Sequence, residues 1–420
     1  MMQRTKTLLA LMLAAGLSSL QAAGLSSLQA AEFDLAALEK MALNSSRTAL
    51  AARDQLEAAR YAAESARAFP NPELEYLAGN QRSRAGLGVP GDTRSLSLSQ
   101  PLDLPWRRTP RIAAADAGFN VATATAGVLA ADLLANLRAR YFNLLRREAE
   151  LKNAREDAST VEGVHTRIAK RVETGEAARF ELIKADAELL NARKNVQAAS
   201  FRVEQARSQL RQVAGDSLPS DFTLSGRLRD VPEVPSLTQL QQEMRVHSPD
   251  LQRAQAEVSR AEKQLELERA LRLPAVSLRA GMDEDSEIRS SRVGFQVSIP
   301  LWDRRRAQVG EATAQLSRSR HELEGRRFSL AQELEVAYQQ YEIALAQVGA
   351  LESGILRQAE AALRVATAAY RFGERGFLEV LDAQRVFRAA RAELIQARHE
   401  LATAWVEIER LRALPKEKKQ

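Results

Sequence analysis

Two stretches 198 residues apart, 172–185 (VETGEAARFELIKA) and 370–383 (YRFGERGFLEVLDA), set Gly175-Glu176 and Gly373-Glu374 at the same register. The same offset pairs Leu182 with Val380, Leu189 with Phe387 and Ala192 with Ala390. It continues through Val196/Leu394, Ala199/Ala397, Val203/Leu401, Ala206/Ala404 and Leu210/Ile408. From Leu189 onward the steps alternate three and four, a heptad seam of alternating large and small residues that predicts coiled coil. Small seam residues let helices approach closely and accept knobs from a neighbour. The chain reads as a tandem duplication of helical units, each folded back at a glycine.

Composition bears on the shape of those units. In 420 residues aromatics make up only 5%, which suits long helices packed side by side better than one compact centre. The net charge of +6 falls to +4 without Arg4 and Lys6, 58 basic residues against 54 acidic, and the charges interleave along helix faces. Such a balance reads as solvated surface and gives no reason to expect nucleic acid. The absence of cysteine excludes disulfides, zinc-thiolate sites, a catalytic thiol and a lipidated cysteine.

Residues 1–30 have the plan of a secretory signal peptide, with Arg4 and Lys6 before an apolar run and then small residues. The block AAGLSSLQ occurs twice there and lengthens the segment. No later stretch approaches eighteen uninterrupted apolar residues, so no membrane-spanning helix is expected. A membrane role would have to be carried by strands.

The first repeat is expected over 31–214. It opens with an Ala-rich helix over 33–69, broken by a capping Asn44-Ser45-Ser46, and Pro70 and Pro72 stop it. Period-two segments at 73–80 and 94–102 flank a turn-rich loop, a β-hairpin over 73–102. A helix over about 107–171 follows, and the Gly175 break sends a return helix to Val213. A Gly/Pro-rich linker at 215–235 leads to the second repeat, 236–414. There His247-Ser248-Pro249 stands for Asn44-Ser45-Ser46, a hairpin occupies 275–301, and a long helix spans 304–371 before the final one. Residues 415–420 form a charged tail.

Each repeat thus supplies two strands long enough to cross a bilayer when tilted. Four strands cannot close, and open edges are not tolerated in hydrocarbon, so strands entering a membrane must complete a barrel with other copies. Ser95-Leu96-Ser97-Leu98-Ser99 fits an apolar outer face and a polar lumen. Trp106 and Trp302, each just past a strand end, stand where an interfacial aromatic belt would lie.

Signal peptide, duplicated helix-hairpin-helix units and the motif Tyr370-x-x-Gly373-x-Arg375-x-x-x-Glu379-Val380-Leu381-Asp382-Ala383 together resemble the TolC family of outer-membrane efflux proteins. Phe69-Pro70-Asn71-Pro72-Glu73-Leu74 and Ser99-Gln100-Pro101 followed by Arg107-Arg108 are similar to the branch serving cobalt, zinc and cadmium resistance. The resemblance implies a mainly α fold with a transmembrane β part. In it a homotrimer builds a 12-stranded β-barrel in the outer membrane of a Gram-negative cell, continued by a periplasmic α-helical coiled-coil barrel. Its implied partners are a periplasmic adaptor (a membrane fusion protein), an inner-membrane RND pump and outer-membrane lipid, with no cofactor. The turns at Gly175, Glu176, Gly373 and Glu374 would face the adaptor. By the same resemblance Tyr370 and Arg375 link inner to outer coils with Glu181 as acidic partner, and Glu379 and Asp382 ring a closed tip.

The implied function is the outer-membrane channel of a tripartite RND-type system exporting heavy-metal cations. Drug efflux or type I protein secretion through the same channel is the alternative, and a pore-free exported coiled-coil scaffold is a second. The scaffold accounts for the heptads but not for the proline-bounded hairpins. No enzyme is expected, because His165, His247, His321 and His399 share no ligand spacing and no nucleophile or phosphate-loop pattern occurs.

Overall fold

The computed structural model describes residues 31–82, 86 and 89–413; the expected signal peptide and charged tail lie outside the described residues. Strand β1 (Ala31–Phe33) precedes helices α1 (Leu35–Ser45) and α2 (Arg47–Ser65), so the first expected helix is two, preceded by a strand. Ser46 divides them with extended backbone, its hydroxyl accepting from the Ala49 amide at 3.1 Å as an N-cap. Strands β2 (Glu73–Gln81) and β3 (Gly91–Leu102) lead into α3 (Pro105–Glu173), and α4 (Arg179–Ala214) returns from it. At 69 residues α3 is about 100 Å long. Pro110 sits in its second turn, where little helical bonding is lost.

The second repeat follows a short strand β4 (Phe222–Leu224) and comprises α5 (Leu237–His247), α6 (Pro249–Ala270), β5 (Ala275–Glu284) and β6 (Arg289–Ser298). Strand β6 stops three residues short of the expected Leu301, beside Pro300, which has no amide to donate. The expected single helix over 304–371 is α7 (Arg306–Ala350), a π-helical turn at Leu351–Ile355, and α8 (Leu356–Arg371). The last helix, α9, covers Phe377–Arg412.

The π turn has a sequence cause. Buried Leu133 and Leu330, Leu137 and Leu334, and Leu144 and Tyr341 stand 197 residues apart, whereas Val161 and Ala359 stand 198 apart. The second repeat therefore carries one extra residue between Tyr341 and Ala359. A wider i→i+5 turn absorbs that residue while keeping the buried stripe in phase on both sides.

The long helices form one row, with α4 against α3, α3 against α9, and α9 against α7. The seam residues Leu189, Ala192, Ala199, Val203, Ala206 and Leu210 are buried, as are Ala390, Leu394, Ala397, Leu401, Ala404 and Ile408. One stretch of α3 is long and apolar enough by length and composition to cross a membrane, although Asp116, Asn120 and Asp132 interrupt it and it is no continuous apolar run. Its apolarity comes from an alanine-rich run that packs against α2 and α6.

The segment 215–235 is not a loose linker. Leu218 and Phe222 are wholly buried in the largest core, and β4 pairs in parallel with β1, bringing Phe33 and Phe222 edge to face at 6.5 Å. Tyr141 passes so close to Gly226 that a Cβ there would lie 1.9 Å from the phenol oxygen. Composition marked the breakers in this stretch and hid the apolar residues between them.

The two hairpins join edge to edge into one antiparallel sheet, ordered β2-β3-β5-β6. Its register lines up Leu74, Leu98, Ala280 and Val293 on one face and Glu75, Ser97, Gly281 and Arg292 on the other. On the polar face the Ser95 hydroxyl donates to Asp283 at 2.7 Å and Arg292 pairs with the same carboxylate. The apolar face is bare, with Val293 78% and Phe295 71% exposed. A soluble monomer rarely presents so continuous an apolar surface to water.

Candidate functional site

At the end of the bundle far from the sheet, α3 and α8 turn back through the same backbone device. Gly175 and Gly373 adopt φ of 78° and 76°, the left-handed region that costs residues with a Cβ about 1–2 kcal/mol. The Glu176 amide donates to the Arg171 carbonyl at 2.7 Å and the Glu374 amide to the Ala369 carbonyl at 3.0 Å. Both bonds reach back five residues and satisfy carbonyls that the helix end leaves open, a turn that needs the left-handed glycine and so accounts for its recurrence at this register.

The two turns are brought together by a small apolar core of Ile168, Ala185, Phe377 and Val380. Tyr370 packs on it, with its ring 5.9 Å from that of Phe377 and the Arg171 guanidinium 5.1 Å from its centroid. Its hydroxyl donates to Glu181 Oε2 at 3.5 Å, a long bond that links α8 to α4. Burial, and after it the Glu181 charge, push the phenol above its ordinary range against the opposing effect of Arg171. Tyr370 therefore keeps its proton at neutral pH and remains a donor.

Arg375 is placed otherwise than expected. It does not reach Glu181; its guanidinium holds Glu379 through bonds of 3.0 and 3.1 Å, four residues along at the start of α9. The helical i,i+4 spacing provides this partner locally, with no need to cross between coils. One of the two acids expected to ring the tip is thus neutralised by its own neighbour. Asp382, three residues further on, is exposed and has no ion pair among the described residues. Arg171, which sequence reasoning did not single out, is the arginine that covers the Tyr370 ring.

Above the tip, further cross-links went unseen. Arg388 of α9 bonds Glu188 of α4 at 2.7 Å, and Arg391 bonds Glu156 and reaches Asp157 at 3.6 Å, both on α3. Arg398 straps α9 to Glu352 in the π turn at 2.6 Å. The signal available was position: Arg388 and Arg391 stand three apart beside the buried seam, where an arginine has another helix within reach. At the sheet end Trp106 is half-exposed in the first turn of α3, and Trp302, 92% exposed, lies between β6 and α7. Among the described residues no group of three or more His, Cys, Asp or Glu is placed to hold a metal ion.

Comparison with known proteins gives this architecture relatives. The family described as outer membrane efflux protein matches residues 38–216 and 240–413, one span for each repeat. The cobalt-zinc-cadmium resistance protein CzcC of Cupriavidus metallidurans is 26% identical over 359 residues, 85% of this chain and 84% of its own. The nickel-cobalt-cadmium resistance protein NccC of Alcaligenes xylosoxydans xylosoxydans is 26% identical over 69% of this chain and 66% of its own. Among solved structures, CusC superposes with a TM-score of 0.75 at 20% identity, covering 90% of this chain and 91% of CusC. The open state of the Neisseria gonorrhoeae MtrE outer membrane channel gives 0.76 at 21% identity, over 90% and 88%. At these identities the structural likeness speaks for the fold.

Proposed function

The chain belongs to the outer membrane efflux protein family, and from that membership we propose that it is the outer-membrane duct of a tripartite pump exporting divalent heavy-metal cations of the cobalt, zinc and cadmium class. The observation that carries the cargo is the near full-length similarity to CzcC, joined by NccC. The free edges of β2 and β6 support a homotrimer whose twelve strands close one barrel, with Leu74, Leu98 and Phe295 toward lipid and the serine and charged face toward the lumen. A periplasmic adaptor meeting the turns at Gly175-Glu176 and Gly373-Glu374, and an inner-membrane RND pump behind it, complete the path. Trp106 and Trp302 anchor the barrel at the interface. Deletion of the gene, with the cognate pump expressed, is expected to sensitise the host to zinc, cobalt or cadmium more than to dyes and antibiotics. Lost drug tolerance with unchanged metal tolerance would reverse the assignment.

The tip is the gate of this duct. Tyr370 holds the inner coil, α8 and α9, to the outer one through Glu181, and Arg171 keeps the ring in place. Arg375 acts differently, by masking Glu379 so that three copies of Glu379 and Asp382 repel less across the axis. Tyr370→Phe is expected to raise the resting conductance of an assembled channel in planar bilayers. Arg375→Ser is expected to raise it most at low salt, where unmasked carboxylates repel furthest. Wild-type conductance from both assembled variants would remove these residues from the gate.

A further inference from the structure

The apolar face of the sheet does not end where its hydrogen bonding does. Val293, Phe295, Val297, Ile299 and Leu301 recur at alternate positions from β6 into the segment beyond it, and all five are exposed. Trp302 follows, almost wholly bare, and on the side of the first hairpin Phe69 and Trp106 are exposed as well. Past these residues the chemistry changes. Arg304 and Arg306 come just after Trp302, Arg107 directly after Trp106, and Arg272 stands three residues before β5. The register gathers these segments at one end of the sheet, since Leu102, Val276 and Val297 form one row across β3, β5 and β6.

These four arginines lack acids. Among the described residues none of them is ion-paired, and their one side-chain hydrogen bond runs from Arg304 to the Leu301 carbonyl at 3.2 Å. Their neighbours are placed differently: Arg108 and Arg111 hold Asp103, and Arg305 holds Glu268. Asp303 accepts from the Arg305 amide at 2.9 Å. At the far end of the same face the register sets Glu284 between Arg94 and Arg289, so that unlike charges stand directly opposite one another. One border of the apolar band is therefore balanced within the chain, and the other carries free positive charge beside bare aromatic rings. A guanidinium already lies on one of those rings, with Arg108 4.1 Å from the Phe69 centroid.

We infer that this border is a binding belt for anionic phospholipid headgroups, with Arg107, Arg272, Arg304 and Arg306 on the phosphates and Ile299, Leu301 and Trp302 in the acyl boundary. The inference rests on the membrane-barrel reading above and adds which lipid the barrel gathers at its helical end. A guanidinium matches phosphate oxygens as a bidentate donor, and the apolar side chains adjoining it fix its height at the headgroups. A soluble anion would account for the free charge and leave the exposed apolar residues beside it unexplained. Arginine also keeps its charge throughout the physiological pH range, so occupancy of the belt is set by lipid composition and salt.

Tryptophan fluorescence reads this contact, because of the three tryptophans Trp106 and Trp302 flank the belt and only Trp405 is buried. The full chain is reconstituted in phosphatidylcholine vesicles in which a minor fraction of the lipid, either phosphatidylglycerol or phosphatidylcholine, carries brominated acyl chains that quench the indole. Quenching by the brominated phosphatidylglycerol is expected to exceed that by brominated phosphatidylcholine about twofold at low salt and to converge on it at high salt. Changing Arg107, Arg272, Arg304 and Arg306 together to Gln is expected to remove the excess and leave quenching by phosphatidylcholine in place. Lys194, Arg202, Arg245 and Arg357, exposed on the helices and without ion pairs among the described residues, provide a control. Their change to Gln removes the same charge and is expected to leave the excess unaltered; its loss there would assign the effect to net charge and overturn the belt. Absence of quenching by either lipid overturns the membrane reading and this inference with it, whereas equal quenching by both overturns the headgroup preference alone. An excess abolished by inorganic phosphate but not by chloride at the same ionic strength gives the arginines to the free anion and also overturns it. The wild-type comparison decides the matter even where the fourfold variant fails to assemble.

Discussion

The two repeats build the same long helix in different ways. In the first it runs unbroken through Pro105–Glu173; in the second it is divided by the π turn at Leu351–Ile355. An inserted residue in a straight helix rotates everything beyond it by about 100°, enough to turn the buried face outward. Here the rotation is contained within one turn, and Leu334 above it and Ala359 below it both remain buried. A packed seam thus tolerates a length change when the backbone can widen locally, and Arg398 binding Glu352 holds the widened turn to α9. Helix register in this molecule is set by the seam, not by counting residues.

The comparison is broken most severely at its core. Leu137 and Leu334 occupy equivalent positions and both are wholly buried, so Leu137→Ala and Leu334→Ala are expected to cost about 2–5 kcal/mol each and by similar amounts. Thermal unfolding in detergent would measure it, and a large loss at one site only would show that the repeats are not equivalent there.

A smaller effect sharpens the difference between them. Arg391 and Arg193 are also equivalent, but Arg391 is mostly buried between α9 and α3, where it binds Glu156 and Asp157. Arg193 binds Glu162 with both side chains about 60% exposed. Arg391→Ala is expected to destabilise by about 1–3 kcal/mol and Arg193→Ala by less than about 1 kcal/mol. Equal losses would mean that the cross-coil link adds nothing over a surface pair.

The smallest expected effect is a slope. His399 is held down to about 4 by burial first and then by Arg146 and Arg147, against the weaker opposing pull of Glu150 and Glu400. Its folded value lies below the ordinary 6.5, so between these values the unfolded chain binds the extra proton and stability rises with pH. The contribution is complete above pH 6.5 and is lost as pH falls toward 4. His399→Phe, which installs the residue found at the equivalent position 201, is expected to flatten stability against pH across that window. An unchanged slope would place the acid sensitivity elsewhere.

Much of the architecture was legible because it is periodic. The alternation of Leu96 and Leu98 with serines marked the sheet faces, the seam from Leu189 and its copy marked the buried stripes, and glycine marked both left-handed turns. What escaped lacks a period. The π turn becomes visible only when buried positions of both repeats are laid side by side. Arg391 looks like any helix-surface arginine until α3 is placed beside it. Arg375 was given a distant partner because the resemblance supplied one, although the i,i+4 carboxylate of Glu379 was in plain view. The stretch 215–235 misled by its glycines and prolines, which punctuate a packed segment around Leu218 and Phe222.

The sheet has a consequence for how the molecule comes into being. Helical contacts such as α3 with α4 close over short stretches of chain, whereas β3 and β5 come from different repeats and pair across about 180 residues, as Leu98 with Ala280 does. Local contacts form early and distant pairings late. During that interval the chain carries two open strand edges and an apolar face that its own residues do not cover, the features that make a folding intermediate adhesive. The yield of finished channel is therefore decided by competition in time, between the arrival of lipid and sister chains and the arrival of any other exposed edge.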